Sequence, residues 1–123
     1  FIETLALDAV DIFNPDISGV GGIIDMIKII KLSHEKKVTV SPHCWNSMSI
    51  AASAMVHVCM SFTNTEMAEF FPEYIPYSLK FSNQNYEIKD GFVKIEDNEG
   101  LGINIDTKLL MEDTSSYRET ELT

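Results

Sequence analysis

The stretch Val10-Asp11-Ile12-Phe13-Asn14-Pro15-Asp16-Ile17-Ser18-Gly19-Val20-Gly21-Gly22-Ile23 decides the fold. Its first four residues have the pattern of a β-strand, which Asn14-Pro15 ends because proline has no N–H for a ladder hydrogen bond. The glycines at 19, 21 and 22 form a turn at little steric cost. A helix is predicted from about Ile23 to Lys36. Strand, loop and helix in this order predict one unit of a parallel α/β sheet.

The same unit is repeated further along the chain. Val38-Thr39-Val40 is a β-branched run that predicts a second strand. A helix predicted from Met48 to Met60 is almost entirely apolar or small, which is typical of a helix buried on much of its surface. A short third strand is predicted at Glu66-Met67-Ala68. Right-handed crossovers then predict three parallel strands within residues 9–69.

The first of these helices has an apolar face at i, i+3, i+4 spacing. That face is predicted to face the core and to consist of Ile23, Met26, Ile27, Ile30 and His34. The residues before it, 1–8, have the pattern of the last turns of another helix.

Each predicted strand is followed by an ionisable residue: Asp16, His43 or Glu69. The carboxyl ends of neighbouring parallel strands meet at one rim, where sites lie in such folds. A carboxylate beside an imidazole is an arrangement for proton transfer. A simpler interpretation stays open from the residues alone: Asp16 caps its turn and His43 is a loop histidine.

Other chemistries are less well supported. Cys44 follows His43, but adjacent residues at a strand end point apart, so a Cys–His nucleophile is not predicted. The Gly19–Gly22 stretch lacks the G-x-G-x-x-G spacing of a dinucleotide site. Glu66 competes with Glu69, since a one-residue slip in register exchanges the faces of a strand.

Composition limits the class of protein. The chain has 123 residues, 45% hydrophobic and 23% charged, and a formal net charge of -10. One globular domain is the expectation, and the negative charge argues against nucleic acid and anionic membranes as partners. No apolar run reaches membrane-spanning length. The two cysteines have no zinc-site spacing and fit a reducing cytoplasm.

The character of the chain changes after Pro72. Residues 73–111 are rich in aromatics and glycine turns and predict an irregular, partly stranded extension, with short strands near 90–95 and 100–106. Residues 112–123 are expected to form an acidic flexible tail. Three strands alone cover a parallel sheet poorly, and much of the second helix would face water. We therefore expect this chain to be part of a larger protein or the partner of another chain.

Several motifs together resemble the enolase superfamily, in its mandelate racemase-type branch (the mandelate racemase/muconate lactonizing enzyme family). Asn14-Pro15-Asp16 through Gly21-Gly22-Ile23 resembles the sixth-strand signature, and Val40-Ser41-Pro42-His43 resembles the seventh. Glu69 lies where that family has a glutamate after the eighth strand. Three further segments match in order: Ile50–Ala54 with His57, Asp90-Gly91, and Gly100-Leu101-Gly102.

The resemblance implies a fold and a division of the chain. Residues 1–72 would be strands 6–8 of a (β/α)7β TIM-like barrel, and residues 73–111 an extension that returns to a capping domain. The family's three metal-binding carboxylates would precede Phe1, so no metal ligand is expected in this chain, and Mg2+ is the expected cofactor.

The resemblance also implies roles for the site residues. His43 would act as general base or acid on the proton next to a substrate carboxylate, and Asp16 would fix its tautomer. Glu69, if protonated, could donate a hydrogen bond to the developing charge. Trp45 and Asn46 could line the substrate pocket, although Trp45 could equally be a packing residue.

The predicted function is that of a Mg2+-dependent lyase acting on a small-molecule carboxylate, first of all a sugar-acid dehydratase. A racemase or epimerase of an α-substituted carboxylic acid is the alternative, because both reactions begin with the same proton abstraction. A truncated, non-catalytic interaction fragment is the alternative of another class. Its partners would be the rest of the barrel and the capping domain, the intact protein is expected to be a homo-oligomer, and this chain alone is expected to be inactive.

Overall fold

The computed structural model of the protein describes residues 1–44, 49–84 and 86–113. Helices and strands alternate along residues 2–60, and a 3-10 turn, a short helix, a hairpin and a last helix follow. The elements are α1 (Ile2–Ala6), β1 (Ile12–Phe13), α2 (Ile23–Glu35), β2 (Thr39–Val40), α3 (Ser49–Met60), a 3-10 turn (Pro72–Tyr74), α4 (Ile75–Ser78), β3 (Tyr86–Lys89), β4 (Phe92–Ile95) and α5 (Thr107–Asp113).

β1 and β2 pair in parallel, as the alternation of strands and helices predicts. The N–H groups of Thr39, Ser41 and His43 donate to the carbonyls of alternate residues of the first strand segment, at 3.0, 2.8 and 2.9 Å. The pairing therefore continues past β2 into the loop. It ends in an isolated parallel bridge between Asp16 and His43.

The third predicted strand, Glu66–Ala68, is not a strand in the structure. The segment runs beside β2, because Val40 N–H donates to the Asn64 carbonyl and Glu69 N–H donates to the Pro42 carbonyl, at 2.8 and 3.0 Å. Between these two bonds, residues 64–69 of the segment lie opposite only residues 40–42. Six residues opposite three cannot form a regular ladder of hydrogen bonds, and Pro42 has no N–H to donate to one.

The buried face of α2 differs from the predicted one. Met26, Ile29, Ile30 and Ser33 are buried, whereas Ile23 and His34 are exposed. The face is thus rotated towards Ser33, whose hydroxyl donates to the Ile29 carbonyl at 2.7 Å. An intrahelical hydrogen bond of this kind lets a serine be buried at little cost.

Helix α3 is buried on two faces by two different parts of the chain. Ala54, Met55 and Val58 pack into the core formed with β1, α2 and β2. Ala52 and Val56 pack against Tyr86 of β3. The expectation that much of this helix faces water is wrong, because the extension after Pro72 covers its second face.

The extension is built around a β-hairpin. β3 and β4 pair antiparallel around the turn Asp90-Gly91, whose two residues have positive φ angles of 53° and 79°. These angles and the Asp-Gly sequence are typical of a two-residue hairpin turn. The strand predicted near 100–106 is reduced to an isolated bridge between Ser82 and Ile105. Residues 112 and 113, predicted to lie in the tail, end helix α5.

Within the described ranges, no helix is long and apolar enough to cross a membrane.

Candidate active site

Asp16 and His43 lie side by side at the carboxyl end of the parallel strand pair. Both continue the β1–β2 register, in which Ile12 faces Thr39 and Phe13 faces Val40, so the two side chains project from the same face. His43 Nδ1 lies 3.0 Å from Asp16 Oδ2. Since a carboxylate only accepts hydrogen bonds, Nδ1 is the donor, and this interaction fixes the imidazole tautomer.

The second oxygen of the Asp16 carboxylate also accepts a hydrogen bond. Ser18 N–H donates to Oδ1 at 2.8 Å, and the N–H groups of Gly19 and Val20 donate to the Asp16 carbonyl. Asp16 thus does cap its turn, and the same geometry aims Oδ2 at the imidazole. The capping interpretation and the proton-transfer interpretation are therefore compatible.

Glu69 faces the other side of the imidazole ring. Its Oε2 lies 3.8 Å from His43 Nε2 and accepts a hydrogen bond from Cys44 N–H at 3.4 Å. The His43 side chain is 32% exposed and that of Glu69 is 44% exposed, so a small molecule can reach both. The structure therefore brings Asp16, His43 and Glu69 together at one rim.

The other sequence candidates are distributed differently. Trp45 and Asn46, the predicted substrate-binding residues, lie outside the described residues. The Cys44 side chain is only 3% exposed and belongs to the core, which does not favour a nucleophilic thiol. His57 Nδ1 lies 2.9 Å from the Ser53 carbonyl within α3, which is a structural contact.

One residue that supports the site was not singled out from the sequence. The Asn14 side-chain amide donates to the Ser41 carbonyl and joins the two loops that carry Asp16 and His43. An asparagine directly before proline, at the end of a strand, is the signal that points to such a role.

Burial perturbs the pKa values of two ionisable groups. Burial raises the pKa of the Cys59 thiol from 9.0 to about 11. Burial also raises the pKa of Tyr86, and the neighbouring Cys44 adds to this increase. Neither group is placed to take part in proton transfer with His43, but the second shows that the extension reaches the residue next to His43.

The described residues do not fit a resident metal ion. Among residues 1–44, 49–84 and 86–113, no group of three or more His, Cys, Asp or Glu side chains is arranged to hold one.

The strand–helix order and this strand-end site agree with a family comparison. The model of the enolase C-terminal domain-like family matches residues 1–109. The chain belongs to this family. The resemblance to the enolase superfamily and the α/β barrel-type fold class are thereby confirmed.

Curated relatives of this family member are enzymes of sugar acids and their lactones. The D-galactarolactone cycloisomerase of Agrobacterium fabrum is 31% identical over 117 residues, which are 89% of this chain and 31% of that protein. The D-galactonate dehydratase of Verminephrobacter eiseniae is 28% identical over 120 residues, which are 91% of this chain and 31% of that protein. The chain thus spans about a third of the length of these relatives.

Solved structures of the family superpose closely on the chain. An enolase from environmental sequencing of the Sargasso Sea gives a TM-score of 0.86 at 50% identity, over 90% of this chain and 30% of that one. An enolase from Pantoea ananatis, solved with bound D-gluconate and Mg, gives 0.83 at 25% identity, over 91% and 27%. Both matches cover less than a third of the other protein.

Proposed function

We propose that the whole protein containing this chain abstracts the proton next to a substrate carboxylate, and that it is a sugar-acid dehydratase. The observation that carries the proposal is the placement of His43 between two carboxylates, with Nδ1 3.0 Å from Asp16 and Nε2 3.8 Å from Glu69. The dehydratase and the cycloisomerase among the relatives support a sugar acid as the substrate class.

His43 would move the proton at Nε2. Because Asp16 Oδ2 accepts from Nδ1–H, the neutral ring has its lone pair on Nε2, which makes this atom the base. When Nε2 takes the proton, the ring becomes positively charged, and the Asp16 carboxylate stabilises that charge. The same ring could return the proton to a leaving hydroxyl or to the substrate carbon.

Glu69 would bind the reacting part of the substrate. Its Oε2 shares one side of the site with His43 Nε2, and Cys44 N–H keeps it there. If this carboxyl is protonated in the complex, it can donate to the substrate carboxylate as negative charge develops, which is an electrostatic contribution to catalysis.

Mg2+ is part of the proposal, although the described residues of this chain offer no site for it. The neighbour solved with D-gluconate and Mg supports a metal-dependent carboxylate site in the whole protein. The resemblance implies that its ligands lie in a part of the whole protein outside this chain. The isolated chain is accordingly proposed to have no turnover.

The test is a screen of the whole protein, with Mg2+, against a library of acid sugars. Appearance of a keto-acid product with loss of water supports the dehydratase, and a His43→Asn variant should abolish it. Uptake of deuterium from solvent without net loss of substrate would instead support the racemase or epimerase alternative.

Failure of the screen has a defined meaning as well. If the wild-type protein gives neither keto product nor deuterium uptake with any acid sugar, the proposal is wrong. A non-catalytic interaction role would then be the better interpretation.

A further inference from the structure

Cys44 and Phe70, the residues that directly follow His43 and Glu69 in the chain, both lie next to Tyr86 of the hairpin. Phe70 follows Glu69, and its ring lies 5.5 Å from the ring of Tyr86, centroid to centroid, at an interplanar angle of 56°. Cys44 follows His43 and is 3% exposed. These three side chains line one small cavity of about 10 Å3, whose other lining residues are Ala52, Phe71, Tyr74, Ile75 and Ser78.

Tyr86 is well fixed in this position. It is the first residue of β3, it is 9% exposed, and it packs against Ala52 and Val56 of α3. Burial and the proximity of Cys44 together raise the pKa of its hydroxyl, which agrees with a ring held in an apolar environment. A fixed aromatic ring can hold neighbouring segments in place at low entropic cost.

The contacts of Tyr86 affect how close Glu69 lies to His43. The 3.4 Å hydrogen bond from Cys44 N–H holds Glu69 Oε2 near His43 Nε2. Phe70 is bonded directly to Glu69, and Cys44 is bonded directly to His43. Packing of Tyr86 on these two side chains therefore restrains the backbone at Glu69 and at His43. A movement of either segment would change the 3.8 Å separation of Nε2 and Oε2.

We propose that Tyr86 is a positioning residue for the His43–Glu69 pair and acts through Phe70 and Cys44. The inference rests on the proposed function for its kinetic consequence only. In this proposal the hairpin has two roles: it covers α3, and it helps to set the distance between His43 and Glu69.

The experiment compares Tyr86→Ala with Ile95→Ala in the whole protein. Ile95 is the register partner of Tyr86 and packs against the same cluster on α3, so its truncation removes apolar packing from the same hairpin without removing the aromatic ring. Misplacement of a reacting group by about an ångström can cost on the order of 100-fold in rate. We expect kcat to fall roughly 10- to 100-fold in Tyr86→Ala relative to Ile95→Ala, with KM within about threefold.

The conservative variant Tyr86→Phe keeps the ring and should retain at least about half of the wild-type kcat, because the ring makes the contact with Phe70. If Tyr86→Ala does not fold, Tyr86→Leu keeps apolar volume without an aromatic ring and replaces it in the comparison. Equal kcat values in the Tyr86 and Ile95 variants, or a Tyr86→Phe variant as impaired as Tyr86→Ala, would overturn the proposal.

A second measurement does not depend on activity. In protein labelled with 15N-histidine, the ring resonances of His43, assigned with His43→Asn, should shift in Tyr86→Ala and stay unchanged in Ile95→Ala. Unchanged resonances in both variants would overturn the positioning role. If the wild-type protein turns over no acid sugar, the proposed function fails, and this spectroscopic comparison still decides whether Tyr86 positions the pair.

Discussion

At the scale of single residues, Asp16 shows how one carboxylate can serve both the fold and the site. Its Oδ1 accepts from Ser18 N–H and closes the turn, whereas its Oδ2 accepts from His43 Nδ1. The turn therefore fixes the carboxylate, and the carboxylate fixes the ring. Because the parallel register places the two residues opposite each other, no long-range adjustment of the chain is needed to form the pair.

The substitution Asp16→Asn should reduce kcat of the whole protein by roughly 100-fold. An amide that donates to Nδ1 would favour the tautomer with the proton on Nε2, which is then no longer the base. Asp11→Asn is the matched control, because it removes the same charge from an exposed position directly before β1, the strand that leads to Asp16. Steady-state kinetics of both variants provide the measurement, and equal losses in the two would contradict the tautomer argument.

Cys59 provides a prediction about pH. Its thiol pKa of about 11, against 9.0 for an exposed thiol, means that at pH 8 the folded protein carries about 100-fold less thiolate at this position. Alkylation of Cys59 should therefore be slower by at least about that factor in folded than in urea-denatured protein. Mass spectrometry of the peptide containing Cys59 measures both rates, and similar rates would show that the thiol is not buried.

The same pKa shift fixes the sign of a stability effect. The pKa of Cys59 is higher in the folded than in the unfolded protein, so the stabilising contribution of the neutral thiol is complete below about pH 9. It is lost as the pH rises through about 11. The difference in unfolding free energy between wild type and Cys59→Ala should decrease over this interval.

At the scale of secondary-structure elements, the sequence predicts best those elements whose signal is local. β1, α2, β2 and β4 are marked by β-branched runs or helical periodicity, and they are found within a few residues of their predicted positions. The strand at Glu66–Ala68 is not found, because its pairing depends on how many residues lie opposite β2. Local sequence carries no information about that number.

The candidate site likewise has residues that local sequence predicts and residues that it does not. The positions of Asp16 and His43 could be predicted because both follow strands directly, and a parallel register brings strand ends together. The position of Tyr86 could not, since Cys44 and Phe70 are 42 and 16 residues away from it in the sequence. Only the packing of the hairpin on α3 brings them together. Sequence reasoning therefore finds the candidate reacting groups more readily than the residues packed behind them.

Helix α3 provides the prediction at this scale. Truncation on either of its two buried faces should destabilise the protein: about 2–5 kcal/mol for Met55→Ala on the barrel side and about 1–3 kcal/mol for Val56→Ala on the hairpin side. Ile50→Ala is the control, because Ile50 is 55% exposed on the same helix, and it should cost less than about 1 kcal/mol. Urea denaturation followed by circular dichroism measures all three. A negligible effect of Val56→Ala would contradict the burial of the second face.

At the scale of the whole molecule, apolar surface remains uncovered. Leu7, Ile12 and Ile24, which lie after α1, in β1 and in α2, are exposed. A groove of about 500 Å3 between α3 and the hairpin is also lined by apolar side chains, which include Met60, Met67 and Phe92. Within the described part of the chain, β1 has β2 as its only strand partner. These are the features of an arc of a barrel rather than of a closed one.

The isolated 123-residue chain should therefore bind an apolar dye and associate in solution. A few hundred Å2 of exposed apolar surface, at about 25 cal/mol per Å2, corresponds to several kcal/mol, and the whole stability of a domain is only about 5–15 kcal/mol. Dye fluorescence and size-exclusion chromatography measure both properties. A double variant, Met67→Ser with Phe92→Ser, should lower both, because these side chains form one wall of the groove. Glu87→Ser with Lys94→Ser, two exposed polar positions of the same hairpin, is the matched control and should leave dye binding unchanged. An isolated chain that is monomeric, excludes the dye and melts cooperatively would show that its exposed apolar surface needs no partner.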